Sequence, residues 1–183
     1  MIVSVGRLVR QKGMELVLGA LDELAALGAR LVVVGTGERA LEERFSAEAR
    51  RKPGVLHFRG AFDDAFARLA YAGGDLFVMP SLFEPCGLSQ MIAMRYGTVP
   101  VARAVGGLAD TISDADAFPA GTGFLFEDPT PEALVEAAKR ALAHFREPRA
   151  WARLRSRCME KDFSWAPSAR AYRALYASLT DPS

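Results

Sequence analysis

Glu84 and Cys86 stand together in SLFEPCGLSQMIAMRYGTVP, residues 81–100, between an apolar run that ends at Pro80 and a segment with helical apolar spacing. A carboxylate accepts hydrogen bonds from hydroxyls or moves a proton, and a thiol becomes a nucleophile when its pKa is depressed. The only two histidines, His57 and His144, are far from Cys86 in sequence, so Cys86 reads as a lining residue and not as a nucleophile. Pro80 and Pro85 stiffen the loop, and Gly87 lets backbone amides come close to a ligand. The amides of Gly87, Leu88 and Ser89 would then point out of the first turn of a helix predicted over residues 88–96, which makes an anion site. Glu84 would repel a phosphate there, but it suits the hydroxyls of a sugar attached to one. The simpler alternative is that Glu84 merely favours the helix N-terminus.

Four other loops carry candidate chemistry. In GRLVRQKG, residues 6–13, Arg7 and Lys12 follow an apolar run and precede a helix; two cations at that edge suit a phosphate or diphosphate, or else form an ordinary solvated loop. GTGE, residues 35–38, lacks the fuller dinucleotide pattern and reads better as a tight turn alone. In GAFDD, residues 60–64, Phe62 is either a stacking plate for a base or a hydrophobic staple ahead of an N-cap at Asp63 or Asp64. Gly106 and Gly107 in VGGLADT, residues 105–111, allow close backbone approach or simply a tight connection.

The elements that must hold these loops alternate. Six apolar, β-branched runs, IVSVG, LVVVG, VLHFRG, DLFVMP, TVPVA and GFLFE, are separated by helical periods. Helices are predicted from the Leu16, Ala20, Leu24 and Leu27 face closed by Gly28, and over about 38–51, 63–72, 88–96 and 108–113. Alternation of this kind calls for a doubly wound parallel sheet of the α/β class, whose ligands sit outside the carboxyl ends of the strands. After about Asp128 the strands stop. Three helices are expected there: one with Thr130 as N-cap and Pro131 at its first position, one over about 148–161, and one over about 165–179 carrying an apolar stripe of Trp165, Tyr172, Leu175 and Tyr176. One domain is expected, with a sheet lobe over about 1–127 and a helical tail over about 128–183.

The totals narrow the classes. A chain of 183 residues that is 50% hydrophobic buries one good core. A net charge of +1 gives no basic footprint for nucleic acid or a membrane surface. No apolar run reaches the ~20 residues of a membrane span. Cys86 and Cys158 lack metal-ligand spacing and read as reduced thiols of a cytoplasmic protein. No metal cluster and no cofactor are expected. Met1 leads straight into a buried-strand pattern, so the chain is expected to be a piece of a longer protein.

GRLVRQKG, SLFEPCGLSQMIAMRYGTVPVARAVGGLADT, GFLFEDP and DFSW, in this order, resemble bacterial glycogen and starch synthases. Those are retaining glycosyltransferases with two Rossmann-like domains facing across a cleft, the GT-B arrangement. The likeness covers nearly the whole chain and matches the C-terminal domain of that family. It implies transfer of glucose from ADP-glucose to the non-reducing end of an α-1,4-glucan. The C-terminal domain would hold ADP and the donor sugar, and the glucan acceptor would be bound through an N-terminal domain that nothing in these residues resembles. Arg7 and Lys12 match the family's cationic pair on the diphosphate, and Glu84 matches its carboxylate on a donor hydroxyl; these three are the expected catalytic residues. The positions from Cys86 through Gly87, Leu88 and Ser89 match its phosphate and sugar contacts, and Gly106 and Gly107 join them as candidate substrate-binding positions. Phe62 falls where the family usually stacks a tyrosine on adenine. Ile92 occupies the position at which many related transferases carry a second glutamate, and no role is expected of it. A related transferase with another nucleotide-sugar donor, and a non-catalytic nucleotide-binding module, are the alternatives.

Overall fold

The computed structural model describes residues 1–180. Its sheet contains β1 (Ile2–Val5), β2 (Leu31–Val34), β3 (Leu56–Arg59), β4 (Leu76–Met79), β5 (Val99–Arg103) and β6 (Phe124–Phe126). All neighbours are parallel, in the order β3-β2-β1-β4-β5-β6. The chain therefore runs outward from β1 to one edge, returns to the centre at β4, and runs outward to the other. The continuous apolar runs are explained by burial on both faces: all four residues of β4 are buried, as are Ile2, Val3 and Ser4.

The helices are α1 (Met14–Ala26), α2 (Arg39–Arg51), α3 (Asp64–Gly73), α4 (Ser89–Arg95), α5 (Gly106–Thr111), α6 (Pro131–Phe145), α7 (Pro148–Glu160) and α8 (Trp165–Thr180). α1 packs on α6, and α7 packs on both α4 and α6. Side chains cap several helices: Asp63 Oδ1 accepts from the Phe66 amide at 2.9 Å, Thr130 Oγ1 from the Ala133 amide at 3.2 Å, and Ser164 Oγ from the Ala166 amide at 3.3 Å. α5 starts and stops two residues earlier than the expected 108–113 span. Its first turn is built from Gly106 and Gly107 themselves, and Ile112 has already returned to extended backbone.

Pro100 lies within an interior strand, where a missing amide usually costs a ladder bond. Val99 donates to Asp75 O on the β4 side, so Pro100 faces the β6 side. Pairing with β6 begins only at Val101, opposite Phe124, and no ladder bond is lost.

α8 extends from this body with its side chains largely exposed: Trp165 is 84% exposed, and Tyr172, Leu175 and Tyr176 follow on the same face. No described helix is long and apolar enough to cross a membrane.

The segment between α5 and β6 is held by charge. Asp114 accepts from the Leu125 amide at 2.7 Å and from Arg140 Nη1 at 3.1 Å, while Arg140 Nη2 donates to Leu125 O at 2.6 Å. Burial by itself would raise the Asp114 carboxyl, but the Leu125 amide and the Arg140 guanidinium outweigh it and hold the group below the usual carboxylate range. A depressed folded pKa contributes stability that is complete above the unfolded value of about 3.9 and is lost as pH falls through the folded value. Asp114→Asn is expected to destabilise the chain by about 1 kcal/mol at pH 7. In denaturant titrations at stepped pH, the gap between wild type and variant should hold above about pH 4 and narrow as pH falls further, through the depressed folded value. A gap independent of pH would contradict this origin.

Candidate functional site

The loops after β1 and β4 meet where the strand order reverses, the position at which sheets of this kind leave a crevice. After β1 the chain makes a short 3-10 turn, Arg10–Lys12. After β4 it runs through Pro80 to Leu88 before α4. Leu82 N donates to Gln11 O at 2.8 Å, and Gln11 Nε2 donates to Phe83 O at 3.0 Å. Between these bonds Lys12 Nζ donates to Glu84 Oε2. Ser81 Oγ donates to the same oxygen at 3.2 Å. Glu84 is only 5% exposed, so its charge is balanced by a cation and a hydroxyl, as a buried carboxylate requires.

Sequence reasoning placed Lys12 with phosphate and Glu84 with sugar; the structure joins the two side chains directly. The signal was not available from spacing, since 72 positions separate them. Ser81 and Arg103 were missed for a similar reason. Arg103 Nη1 donates to Leu82 O at 3.0 Å and its Nε to Glu127 O at 2.7 Å, which ties the loop carrying Glu84 to the carboxyl ends of β5 and β6.

Arg7 is exposed and pairs with no carboxylate among the described residues. It stands at the junction of two hollows. One is a cleft of about 280 Å³ bordered by Arg7, Gly35, Thr36, Phe62, Tyr71 and Ile92. The other is a small recess bordered by Arg7, Lys12, Ser81 and Ser89. Phe62 is 95% exposed. It is therefore neither a core residue nor a staple, and its ring forms part of the cleft wall. Gly35 and Thr36, read from sequence as a turn alone, also border the cleft, because β2 lies beside β1. Tyr71 was missed since its helix reads as amphipathic core. It is buried, its phenol is pushed up by burial, and its hydroxyl bonds to Ser89.

Cys86 is exposed, and its Sγ is 3.7 Å from Gly87 O. Neither histidine approaches it: the His57 ring packs on Phe66, and His144 Nε2 bonds to Asp116 at 2.8 Å. Leu88 is exposed at the start of α4, whose first residue is Ser89. The Gly106–Gly107 turn packs directly on the Glu84–Cys86 backbone. The Gly107 amide donates to Glu84 O at 2.9 Å, and a Cβ on Gly107 would lie 1.9 Å from Cys86 O. The glycines thus permit close contact between two loops of the chain.

A larger groove of about 610 Å³ lies at the opposite ends of β2 and β3, bordered by Arg30, Arg50, Gly54 and His57. It is an open trough at the amino ends of the strands and gathers none of the loops that enter helices. No group of three His, Cys, Asp or Glu side chains among the described residues is placed to hold a metal ion.

The chain is similar to several known proteins. The glycogen synthase of Anaeromyxobacter sp. (strain Fw109-5) is 51% identical over 182 residues, covering 100% of this chain and 38% of that protein. The glycogen synthase of Haemophilus influenzae is 43% identical over 181 residues, covering 97% of this chain and 38% of that protein. The chain thus spans about 38% of the length of these relatives. The catalytic domain of starch synthase IV from Arabidopsis thaliana, solved bound to ADP and acarbose, superposes with a TM-score of 0.89 at 36% identity, over 97% of this chain and 38% of that one. Sucrose-phosphate synthase from Thermosynechococcus elongatus superposes with a TM-score of 0.70 at 29% identity, over 97% of this chain and 46% of that one. Residues 1–154 match the family model for glycosyl transferases group 1, and with a parallel sheet whose reversal point gathers Arg7, Lys12 and Glu84, the chain belongs to that family.

Proposed function

We propose that this chain is the donor-binding domain of a glycogen or starch synthase, a retaining glycosyltransferase that moves glucose from ADP-glucose to the non-reducing end of an α-1,4-glucan. The observation that carries the proposal is Arg7, a cation with no carboxylate partner among the described residues, at the junction of an aromatic-walled cleft and the small recess bordered by Lys12. Adenine would stack on Phe62. The diphosphate would lie along Arg7 toward Lys12 and the amides of Gly87, Leu88 and Ser89. The donor glucose would reach Glu84 beyond them, beside Gly106 and Gly107. When the glycosidic bond to glucose breaks, negative charge grows on the ADP leaving group. Arg7, Lys12 and the amides then stabilise the transition state more than the ground state, which is what raises a rate. The relatives named glycogen synthase and the starch synthase solved with ADP and acarbose support this assignment.

The sheet lobe and the helical tail would act as one donor-binding unit. The acceptor groove would belong to an N-terminal domain, toward which the apolar stripe of α8 would pack. The likeness to sucrose-phosphate synthase keeps a second donor in view, another nucleotide sugar, and competition between ADP and UDP for the chain decides between them.

Calorimetric titration of the chain with ADP is expected to show binding. Phe62→Tyr should leave affinity nearly unchanged, and Phe62→Ala should weaken it by about 1 kcal/mol or more through lost stacking. ADP should also slow alkylation of Cys86. Cys158 should stay unmodified in the folded chain, because burial pushes its thiol up to about 12. An alanine variant that binds like wild type, or no protection of Cys86, would remove the base and phosphate assignments.

A second expectation concerns catalysis. Phe62 on the cleft wall and Phe83 and Leu88 in the loop before α4 are exposed, so a diphosphate there would meet water, where cations are worth far less. Labelled ADP-glucose and glycogen incubated with this chain should yield no sustained incorporation. Steady incorporation would mean that no further domain is required.

A further inference from the structure

Gln90 is the second residue of α4 and has 0% exposure, an unusual burial for a primary amide. Its Nε2 faces three acceptors: Cys86 O at 3.1 Å, Gly87 O at 3.0 Å and Thr111 Oγ1 at 3.0 Å. Thr111 in turn donates to Gly107 O. Gln90 Oε1 has no hydrogen-bond partner among the described residues. An amide buried with one end unsatisfied costs free energy, so its donor end must serve a purpose that an apolar side chain of the same size would not.

That purpose follows from peptide geometry. In a trans peptide the carbonyl of one residue and the amide of the next point in opposite directions, and no cis bond occurs among the described residues. Drawing Cys86 O and Gly87 O inward to Gln90 turns the amides of Gly87 and Leu88 outward. Neither amide donates to another described residue. Gly87 is required at this point: its φ is +72°, and a Cβ there would lie 2.5 Å from Gln90 Oε1. Thr111 carries the same constraint to α5, whose first residues pack on the Glu84–Cys86 backbone.

We propose that Gln90 is a positioning residue, whose buried amide sets the outward direction of the Gly87 and Leu88 N–H groups and couples the turn before α4 to the start of α5. This rests on the assignment of that turn to the phosphates of the donor. It adds that the direction of the amides is set by one side chain and not by the helix alone.

The test separates phosphate recognition from fold. The chain and its Gln90→Met variant are titrated by NMR with ADP and with adenosine. Methionine keeps the volume and removes the donor. The expected result is an unchanged cooperative melt, about tenfold weaker ADP binding, and unaltered adenosine binding. Equal loss of both ligands would make Gln90 a packing residue only, and ADP affinity at the wild-type level would overturn the proposal. If Gln90→Met does not fold, Thr111→Val, which removes the acceptor steering the amide, is read by the same criteria. A wild-type chain that binds adenosine and ADP equally would instead remove the phosphate assignment itself.

Discussion

Lys12 bonds to Glu84 across the point where the sheet reverses its strand order, and the loops after β1 and β4 are held in register around that contact. A nearly buried carboxylate needs a cation or several donors to remain charged, and Lys12 supplies the cation from the neighbouring loop. With the Gln11 bonds beside it and Ser81 on the same carboxylate oxygen, the contact holds the two loops together. The chemistry proposed for the site depends on this register. A shift of either loop would separate the cation from the carboxylate and leave each charge poorly compensated.

Arg7 and Lys12 of the first loop differ in kind. Arg7 has no carboxylate partner among the described residues and is open to an incoming anion. Lys12 is shared. In the proposed reading, a diphosphate entering the recess would have to draw on a charge that Glu84 already holds, so affinity for ADP and the placement of a donor sugar would be linked through one ammonium group. The turn at Cys86–Leu88 adds dipoles in place of a third cation. It is supported from below by Gln90 and from the side by the Gly106–Gly107 backbone.

The sheet was legible because strands buried on both faces must be continuously apolar, and the helices because caps such as Thr130 and glycines such as Gly28 mark their ends. Arg7, Lys12, Glu84 and the turn at Gly87 were legible because each lies in a loop between a strand and a helix. What the sequence withheld are relations set by topology. The Lys12–Glu84 bond needs β4 beside β1. The place of Gly35 and Thr36 in the cleft wall needs β2 on the other side. Tyr71 and Gln90 fall on faces that periodicity marks as buried, and periodicity does not tell where the polar end of a buried side chain is aimed. Phe62 precedes a helix cap as a staple would; only the path of the loop turns its ring outward.

The sharing of Lys12 is tested most directly by ADP affinity in Glu84→Gln, Lys12→Met and the double variant, measured by calorimetry on folded proteins. Removing the carboxylate charge releases the ammonium for the diphosphate, so Glu84→Gln should bind ADP more tightly than wild type, and the gain should vanish in the Lys12→Met background. Weaker ADP binding by Glu84→Gln, to the same degree with and without Lys12, would contradict the account.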